Sequence, residues 1–266
     1  MILSRRVALG GVYLDELHES IVIRSVVPGA AQKKTQSVSR MHGAGNRITA
    51  ETWDPLQTEV TFGIDVPKTE LALRREIYDA VTAWALRRGW LTTNEMPNRQ
   101  MYVDRIAMPA GSDMRDWTKD FTITFTAYNV PFWQGNQVGA VSGGGAASGS
   151  VRISLDGNES SVLNFTFDNT SGRQINDLTV ITNSGKLVLQ DILLAGNQSV
   201  VVDHGTDGIL RVMKRTTGAG TTTTSIMNCV HYTSSDDLYI LPGDSTVSFT
   251  ATRAGRLSIN CRGRYR

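Results

Sequence analysis

The clearest alternation of apolar and polar positions in the chain is helical and lies in the stretch PKTELALRREIYDAVTAWALRRG. Its apolar stripe consists of Leu73, Ile77, Val81 and Trp84. This pattern predicts one amphipathic helix over about 69–88, with Thr69 capping its start and Gly89 ending it. Charged residues fall outside the stripe, and the spacing of Glu70 from Arg74 predicts an ion pair on the exposed face.

Elsewhere in the first half the pattern has a period of two, which is typical of strands. In FTITFTAY, residues 121, 123, 125 and 127 are apolar and the residues between them are polar. One face of this strand is therefore expected to be buried, and the other to meet water or a partner. ESIVIRSV, TEVTFGIDV and MYVDRIAM also read as strands, so the first half is predicted to be a β-sheet domain with one helix.

A long polar and glycine-rich segment, residues 27–53, separates the first two of these strands. Its length favours a long hairpin or an extended arm, and a disordered loop is the alternative. Because a compact domain gains little from backbone that projects into water, we interpret the segment as a candidate contact between subunits.

The second half has no helical stripe and consists of short alternating segments separated by turn signals. These segments are SVLNFTFDN, DLTVIT, KLVLQ, SVVVD, GILRVM, DLYIL, STVSFTA and RLSINC. Strands that are short and closely spaced in this way predict a β-sandwich. We interpret the threonines at 221–224 as a mobile surface loop.

A run of Gly, Ser and Ala at 135–150 lies between the two halves and is predicted to be a linker. A length of 266 residues is close to twice that of a usual domain, and all five Trp precede the run. The predicted division is therefore a first domain at 1–134, a linker at 135–150 and a sandwich domain at 151–266.

The balance of charge excludes a strongly basic chain. Residues 1–134 carry 16 basic and 15 acidic residues, and the remainder carries 11 and 10. This near neutrality argues against a dedicated nucleic-acid binder, which needs a basic surface to displace counterions from phosphates. The exception is the C-terminal RAGRLSINCRGRYR, which has five Arg and no acid, and we interpret it as a solvated final strand with a frayed end.

No residue pattern in the chain is typical of catalysis or of metal binding. The four His form no His-x-x-x-His pair, and there is no Cys-x-x-Cys. His204 is the best single candidate, because Asp203 and Asp207 are near it, but a turn in which these side chains cap backbone groups is favoured. Lys186 follows NSG without the upstream glycine of a phosphate loop and is read as a turn residue. We therefore assign no catalytic, cofactor or metal residue and expect no enzyme.

Signals for export and for membrane insertion are also missing from the sequence. The start, MILSRRVALGG, lacks the apolar stretch of a secretory signal, and no later run approaches the roughly 18 apolar residues that a membrane helix needs. Cys229 and Cys261 are the only cysteines. Two reduced, apolar side chains are favoured over a disulfide between them.

Taken in order, these elements resemble the distal tail protein (Dit) family of long-tailed (siphovirus) bacteriophages, over nearly the whole chain. The resemblance rests on the short N-terminal strands, on TEVTFGIDV leading to a single helix, on the GWL that follows, and on DFTITFTAYNVPFWQ at the end of the first domain. Near the C-terminus, SSDDLYILPGDSTVSFTATRAGRLSI resembles the family's late strand, Pro-Gly turn and final strands.

The resemblance implies a ring-forming belt domain, mixed β-sheet with one helix, followed by a galectin-like β-sandwich. It also implies a structural virion protein whose copies form a hexameric ring, single or paired, at the distal end of the tail. The implied partners are the tail tube protein, the baseplate hub, and receptor-binding or peripheral baseplate proteins. DNA would pass through the ring without specific binding, and the protein would assemble in the bacterial host cytoplasm without cofactors or membrane insertion.

Two other functions are compatible with the same elements. A tail-tube subunit also forms rings and is often built from two domains. A carbohydrate-binding module also uses a galectin-like sandwich, but such modules usually expose aromatic side chains, and the Phe residues of the second half fall on alternating positions typical of a core.

Overall fold

The computed structural model describes residues 5–39, 46–109, 119–218, 220–235 and 237–266, without the side chains of 37–39 and 46–50. The chain divides into two units, 1–134 with Arg266 and 135–265. The predicted class, mainly β with one helix, is confirmed.

The first unit contains two antiparallel sheets and the hairpin discussed below. Its strands are β1 (Val7–Leu9), β2 (Val12–Tyr13), β3 (Ile21–Pro28), β4 (Lys33–Ser39), β5 (Asn46–Trp53), β6 (Leu56–Ile64), β7 (Gly89–Thr93), β8 (Gln100–Val103), β9 (Arg105–Ala107) and β10 (Phe121–Ala127). One sheet has the order β3-β6-β10-β9. In the other, β8, β7, β1 and β2 are neighbours in that order.

The helix α1 (Leu71–Ala85) packs against both sheets through its apolar stripe. Ile77, Val81 and Trp84 are buried as predicted, whereas Leu73 is only partly buried. The Trp84 ring meets Phe125 of β10 edge to face at 5.9 Å, and its Nε1 donates to the Val12 carbonyl of β2 at 2.8 Å. One indole therefore fixes the helix between the two sheets.

Three details of the predicted helix are wrong. The helix ends at Ala85, and Gly89 begins β7 instead of ending the helix.

The other two details concern its first turn. No side chain caps the helix start, which follows Glu70, so Thr69 does not have the predicted role. Arg74 does not lie on the exposed face: it is 1% exposed, and its Nη1 donates to the Ile64 carbonyl at 3.0 Å. Its guanidinium also lies 5.3 Å from the centre of the Phe121 ring. Arg74 is therefore a core residue that binds the end of β6 to the helix.

The stretch MYVDRIAM is two strands rather than one. β8 pairs with β7, whereas β9 pairs with β10 in the other sheet. Asp104 lies between them, and its carboxylate accepts hydrogen bonds from the backbone N–H groups of Tyr128 and Asn129 at 2.7 and 3.0 Å. The chain therefore crosses from one sheet to the other at this aspartate.

The predicted arm is a hairpin. β4 pairs with β5 antiparallel, from Lys33 opposite Trp53 to Ser39 opposite Asn46, with one irregularity between Gln36 and Ser37. The two strands form a sheet of their own. The connecting residues 40–45 lie outside the described part of the chain.

The second unit is a β-sandwich, as predicted. Its strands are β11 (Trp133–Val141), which begins in the first unit, β12 (Ala146–Leu155), β13 (Ser161–Val162), β14 (Phe165–Asn169), β15 (Leu178–Ile181), β16 (Lys186–Leu189), β17 (Gln198–Asp203), β18 (Arg211–Thr216), β19 (Thr222–Ser225), β20 (Tyr239–Ile240) and β21 (Gly243–Tyr265). One layer contains β12, β21, β15 and β16, and the other has the order β19-β18-β17-β14-β21-β11.

β21 belongs to both layers and joins them. Its residues 243–251 pair with β12 and β15, and residues 255–259 pair with β14. STVSFTA and RLSINC, predicted as two strands, are therefore parts of one. Between the layers, Phe167 of β14 meets Phe249 of β21 edge to face at 5.4 Å, within a continuous apolar core.

The predicted linker at 135–150 is wrong, because most of it forms β11 and β12. The first residues of β12 pair with β21, and Gly149 lies opposite Phe249. A Cβ on Gly149 would lie 2.9 Å from the Phe249 ring, so glycine there lets backbone pack directly on an aromatic side chain. Part of the glycine content that resembles a flexible linker is thus required for packing against Phe249.

Two further predictions in this half are wrong. The threonines at 221–224, read as a mobile loop, fall largely in β19, which pairs with β18. The C-terminal arginines do not lie on a frayed end, since β21 extends to Tyr265. Burial even lowers the pKa of Arg264 below its ordinary value.

Candidate interaction surfaces

The arm is exposed on both of its faces. Lys33, Lys34, Thr35 and Gln36 are consecutive residues of β4, and all four are exposed. Successive side chains of a strand point to opposite faces, so neither face of this part of the hairpin is covered. A two-stranded hairpin is marginally stable alone in water, and the arm therefore gains most from a partner.

The base of the arm is anchored by a small apolar cluster. Ala31, Val130 and Phe132 are buried together, and Trp53 at the end of β5 packs against them. Nearby, the Trp133 Nε1 donates to the Gly29 carbonyl at 3.0 Å. The arm is thus held where it leaves the first unit, while its described side chains further out stay exposed.

Asp104 orients the corner that leads to this cluster. Besides the two backbone bonds at Tyr128 and Asn129, its Oδ1 accepts from the Asn129 Nδ2 at 3.0 Å. One carboxylate therefore fixes the start of the segment that carries Val130 and Phe132. This role was not predictable from the sequence, because an aspartate inside an apparent strand gives no local signal of a partner 24 residues away.

The second surface is the face of the β3-β6-β10-β9 sheet that lies opposite the helix, here called the threonine face. The strand registers place the following side chains on it: Ser25, Val27, Gln57, Glu59, Thr61, Arg105, Ala107, Thr122 and Thr124. Thr61 and Thr122 share a hydrogen bond of 3.0 Å. Its charged members are Glu59 and Arg105, together with the ion-paired Arg24 and Asp120 beside Gly63. Two acids and two bases leave this face polar and nearly neutral.

Both edges of the same sheet are open. Within the described ranges no strand pairs with the outer edge of β3 or of β9. Unpaired N–H and C=O groups along such edges are ready to pair with another chain. The first unit therefore offers two sheet edges and one hairpin to neighbouring molecules.

The residues around His204 have structural roles. The Asp203 carboxylate accepts from the Gly205 N–H at 3.0 Å, and Asp207 accepts from the Ile209 N–H at 3.1 Å, as in the favoured turn interpretation. His204 is itself 2% exposed. Its Nδ1 lies 2.8 Å from the Asn164 Oδ1, and its Nε2 lies 3.1 Å from an Asp237 carboxylate oxygen.

Burial lowers the pKa of His204 below its ordinary value, against the opposing effect of Asp237. The Asn164 Oδ1 that lies against the ring also accepts the His204 backbone N–H at 3.2 Å. This arrangement fastens a turn to the sandwich and has no opening for a substrate. The pairing with Asn164 and Asp237, 40 and 33 residues away, was not predictable from neighbours in sequence.

The remaining chemical candidates are also accounted for within the described part of the chain. No group of three or more His, Cys, Asp or Glu there could hold a metal ion. Lys186 is the first residue of β16 and pairs with Ile181 across a tight turn. Cys229 and Cys261 are both free thiols, and burial raises the pKa of Cys261 to about 11.

The aromatic residues of the sandwich are mostly internal. Phe165, Phe167 and Phe249 are at most 2% exposed, as their alternation predicted. Tyr232 is the exception, at 89% exposed, with its ring 4.2 Å from that of His231. Across the described ranges, no helix has both the length and the apolar character to cross a membrane.

No protein-family model and no curated protein matches the sequence. Solved structures do match. The crystal structure of the SPP1 Dit (gp 19.1) protein, described as a paradigm of the hub adsorption apparatus in phages that infect Gram-positive bacteria, aligns over 96% of this chain and 98% of its own. The TM-score is 0.63 and the sequence identity 16%. The chain has the Dit fold.

A second match supports the same fold. A chain in the phage P2 baseplate, in its activated conformation with Ca, aligns over 98% of both chains with a TM-score of 0.50 and 8% identity. Both alignments cover nearly the whole chain and therefore extend over both units. At these identities the likeness is one of fold, and the assignment of function needs the surfaces described above.

Proposed function

We propose that this protein is a structural component of a phage virion, the distal tail adaptor that joins the tail tube to the baseplate hub. The observation that carries the proposal is the likeness to the SPP1 Dit protein, which extends over both units. The matched structures come from a phage adsorption apparatus and a phage baseplate, which supports a structural rather than an enzymatic role.

The arm is proposed to make the contact between copies of the chain. Its exposed hairpin is anchored at one end by Trp53 and Phe132 and has no neighbour strand in the described part of the molecule. Identical subunits that meet through two different surfaces close into a ring when the rotation permits. We propose that six arms each lie on the next subunit of a hexamer.

The open edges of the β3-β6-β10-β9 sheet are proposed to continue it around the ring. Four strands from each of six copies, spaced about 4.8 Å apart, would close into a barrel at least about 37 Å across, which leaves room for a DNA duplex. The helix covers the outer face of this barrel, so the threonine face would line the channel.

A channel wall of this kind suits passage rather than binding of DNA. Every phosphate that a protein neutralises strengthens binding through counterion release, which would slow a passing duplex. Hydroxyl groups with equal numbers of acids and bases among them, Glu59 and Asp120 against Arg24 and Arg105, provide no such surface. We therefore expect the ring to bind duplex DNA with a Kd weaker than about 10⁻⁴ M at physiological salt.

The sandwich is proposed to be the peripheral platform of the ring, where receptor-binding or other baseplate proteins attach. The protein would assemble in the host cytoplasm and end at the distal tip of the tail. A tail-tube subunit is the alternative function, and it differs in assembly: tube subunits stack into long cylinders, whereas an adaptor stops at one ring or a pair.

Light scattering of the purified chain tests the proposed ring contact. We expect the wild type to form hexamers. A variant in which an Asn-Gly turn replaces residues 37–49, and so joins the partners Gln36 and Ala50, should remain monomeric with an unchanged melting temperature of the sandwich. A variant in which Gly143 and Gly144 are deleted from the exposed turn after β11 is the control and should still form hexamers. Hexamers of equal stability with and without the arm would refute its role.

A further inference from the structure

The sandwich layer with the order β19-β18-β17-β14-β21-β11 carries an ordered row of polar side chains. Strand registers place Thr223 opposite Arg215, Arg215 opposite Ser199, Ser199 opposite Asp168, and Asp168 opposite Arg256. Side chains of directly opposite residues share one face of a sheet. These five residues, here called the arginine row, thus cross β19, β18, β17, β14 and β21 in one line.

The arginine row faces away from the core. The residues next to it along the strands, Val200, Phe167 and Leu257, are buried in the sandwich, and alternation puts the row on the opposite side. Thr223 and Arg256 are exposed, whereas Arg215 and Asp168 are partly buried. A ligand could therefore reach the row from solvent.

The charged groups of the row are not paired with one another. Ser199 donates to an Asp168 carboxylate oxygen at 2.7 Å. In the described part of the chain, neither Arg215 nor Arg256 makes a hydrogen bond or an ion pair, and the Nε of Arg215 is buried without a partner. A buried N–H group without a partner costs free energy.

A second row of residues, next to the arginine row on the same strands, contributes two apolar side chains. Met213 lies opposite Val201, Val201 opposite Thr166, and Thr166 opposite Ser258. Met213 and Val201 are partly buried side chains on the same outer face as the arginine row. The face thus presents two apolar groups beside a line of charged groups and hydroxyls.

We propose that this face binds a saccharide chain. Guanidinium groups only donate hydrogen bonds and a carboxylate only accepts them, whereas each hydroxyl of a sugar does both. Across the sheet, the order of these groups is donor, acceptor and donor, from Arg215 through Asp168 to Arg256. They span three strand spacings, about 14 Å, which suits a chain of sugar hydroxyls. The C–H face of a sugar ring would lie on Met213 and Val201.

A polyanion fits the same face less well. Asp168 lies between the two arginines and would repel an anionic chain that bridged them, and two apolar side chains offer nothing to a phosphate. The proposal goes beyond the ring, because it concerns only residues of the sandwich. Loss of saccharide binding would leave assembly unchanged, so the two proposals can fail separately.

The test uses the full-length protein on an array of immobilised bacterial surface polysaccharides, with inorganic tripolyphosphate as a soluble anionic competitor. We expect the wild type to retain at least one polysaccharide, and Arg256→Gln and Asp168→Asn each to weaken that retention at least tenfold. Arg152→Gln is the control, because it removes an exposed arginine from β12 in the other layer and should leave binding unchanged.

Three results would overturn the proposal. The first is that the wild type retains no polysaccharide, and the second is that all variants bind equally. The third is that tripolyphosphate displaces the polysaccharide from the wild type, which would make the face an anion site. Light scattering and melting curves on the same variants establish that each one is folded and assembles.

Discussion

Trp53 and Phe132 pack edge to face at the base of the arm, with ring centroids 4.9 Å apart and planes at 69°. One ring ends the second strand of the hairpin, and the other lies in the segment that follows β10. The contact therefore ties the arm to the end of the strand whose polar side contributes to the threonine face. It links the two surfaces that the proposed ring requires.

Trp53→Ala should loosen the arm without unfolding the first unit. An edge-to-face aromatic pair contributes about 0.5–1.5 kcal/mol beyond area burial, so we expect the amides of β4 and β5 to exchange about two- to tenfold faster. Hydrogen exchange with mass spectrometry measures this directly. Trp90→Ala is the control, since Trp90 packs on Tyr102 in β8 and should leave the exchange of the arm unchanged.

Trp84→Ala should destabilise the first unit by about 3–5 kcal/mol, because it empties a large buried aromatic site. It also leaves the Val12 carbonyl without its donor. Trp84→Phe keeps most of the ring volume and should cost less. Denaturant titration of both variants checks the order, and equal, small losses would mean that the indole does not fix the helix between the sheets.

The helix and most sandwich strands could be predicted because each buries one face, so that apolar residues recur at the period of the element. Arg74 escaped prediction because a buried arginine breaks this rule, and its partners are the carbonyls of Ile64 and Lys119, at 3.0 and 3.5 Å. The strand residues within 135–150 escaped for the opposite reason. Their glycines and serines carry no apolar alternation, although β11 and β12 both pair with β21.

Gly255→Ala should destabilise the sandwich by about 1–3 kcal/mol, the usual cost of overpacking a core. A Cβ there would lie 2.1 Å from the ring of Phe167, which is fully buried and cannot move aside. Gly143→Ala is the matched control, because no atom lies within 4 Å of its Cβ position, and it should change the melting temperature little. Equal effects of the two substitutions would contradict the packing at β21.

Acidification should weaken the sandwich through His204. Burial lowers its pKa in the folded state, so the unfolded chain, with a histidine pKa of about 6.5, binds more protons below that pH. The contribution to stability is present above pH 6.5 and is lost as the pH falls through the folded pKa, with a slope of at most about 1.4 kcal/mol per pH unit.

His204→Gln should reduce the pH dependence of the free energy of unfolding. His231→Gln is the control, because it changes a residue nearer the surface, beside Thr233, and should leave that dependence as it is. Free energies of unfolding at pH 7.5 and pH 5.5 give the comparison. The same pH dependence in wild type and His204→Gln would show that another group titrates.

The surfaces were harder to predict than the fold. The arm could be predicted from its length and polarity, because a hairpin that no other element covers is polar on both faces and lacks apolar alternation. The arginine row could not be found, since it joins five strands that are distant in sequence, and only the registers bring Arg215 and Arg256 to one line. Pairing partners across a sheet are set by topology, which a single sequence does not encode locally.

Electron microscopy of the purified full-length protein tests the central claim most directly. A distal tail adaptor should appear as closed rings with six-fold symmetry, single or in pairs, with an open channel walled by the threonine face and an arm of each copy lying on its neighbour. Long stacked cylinders would identify a tail-tube subunit instead. Particles that remain monomeric at every concentration would contradict the ring.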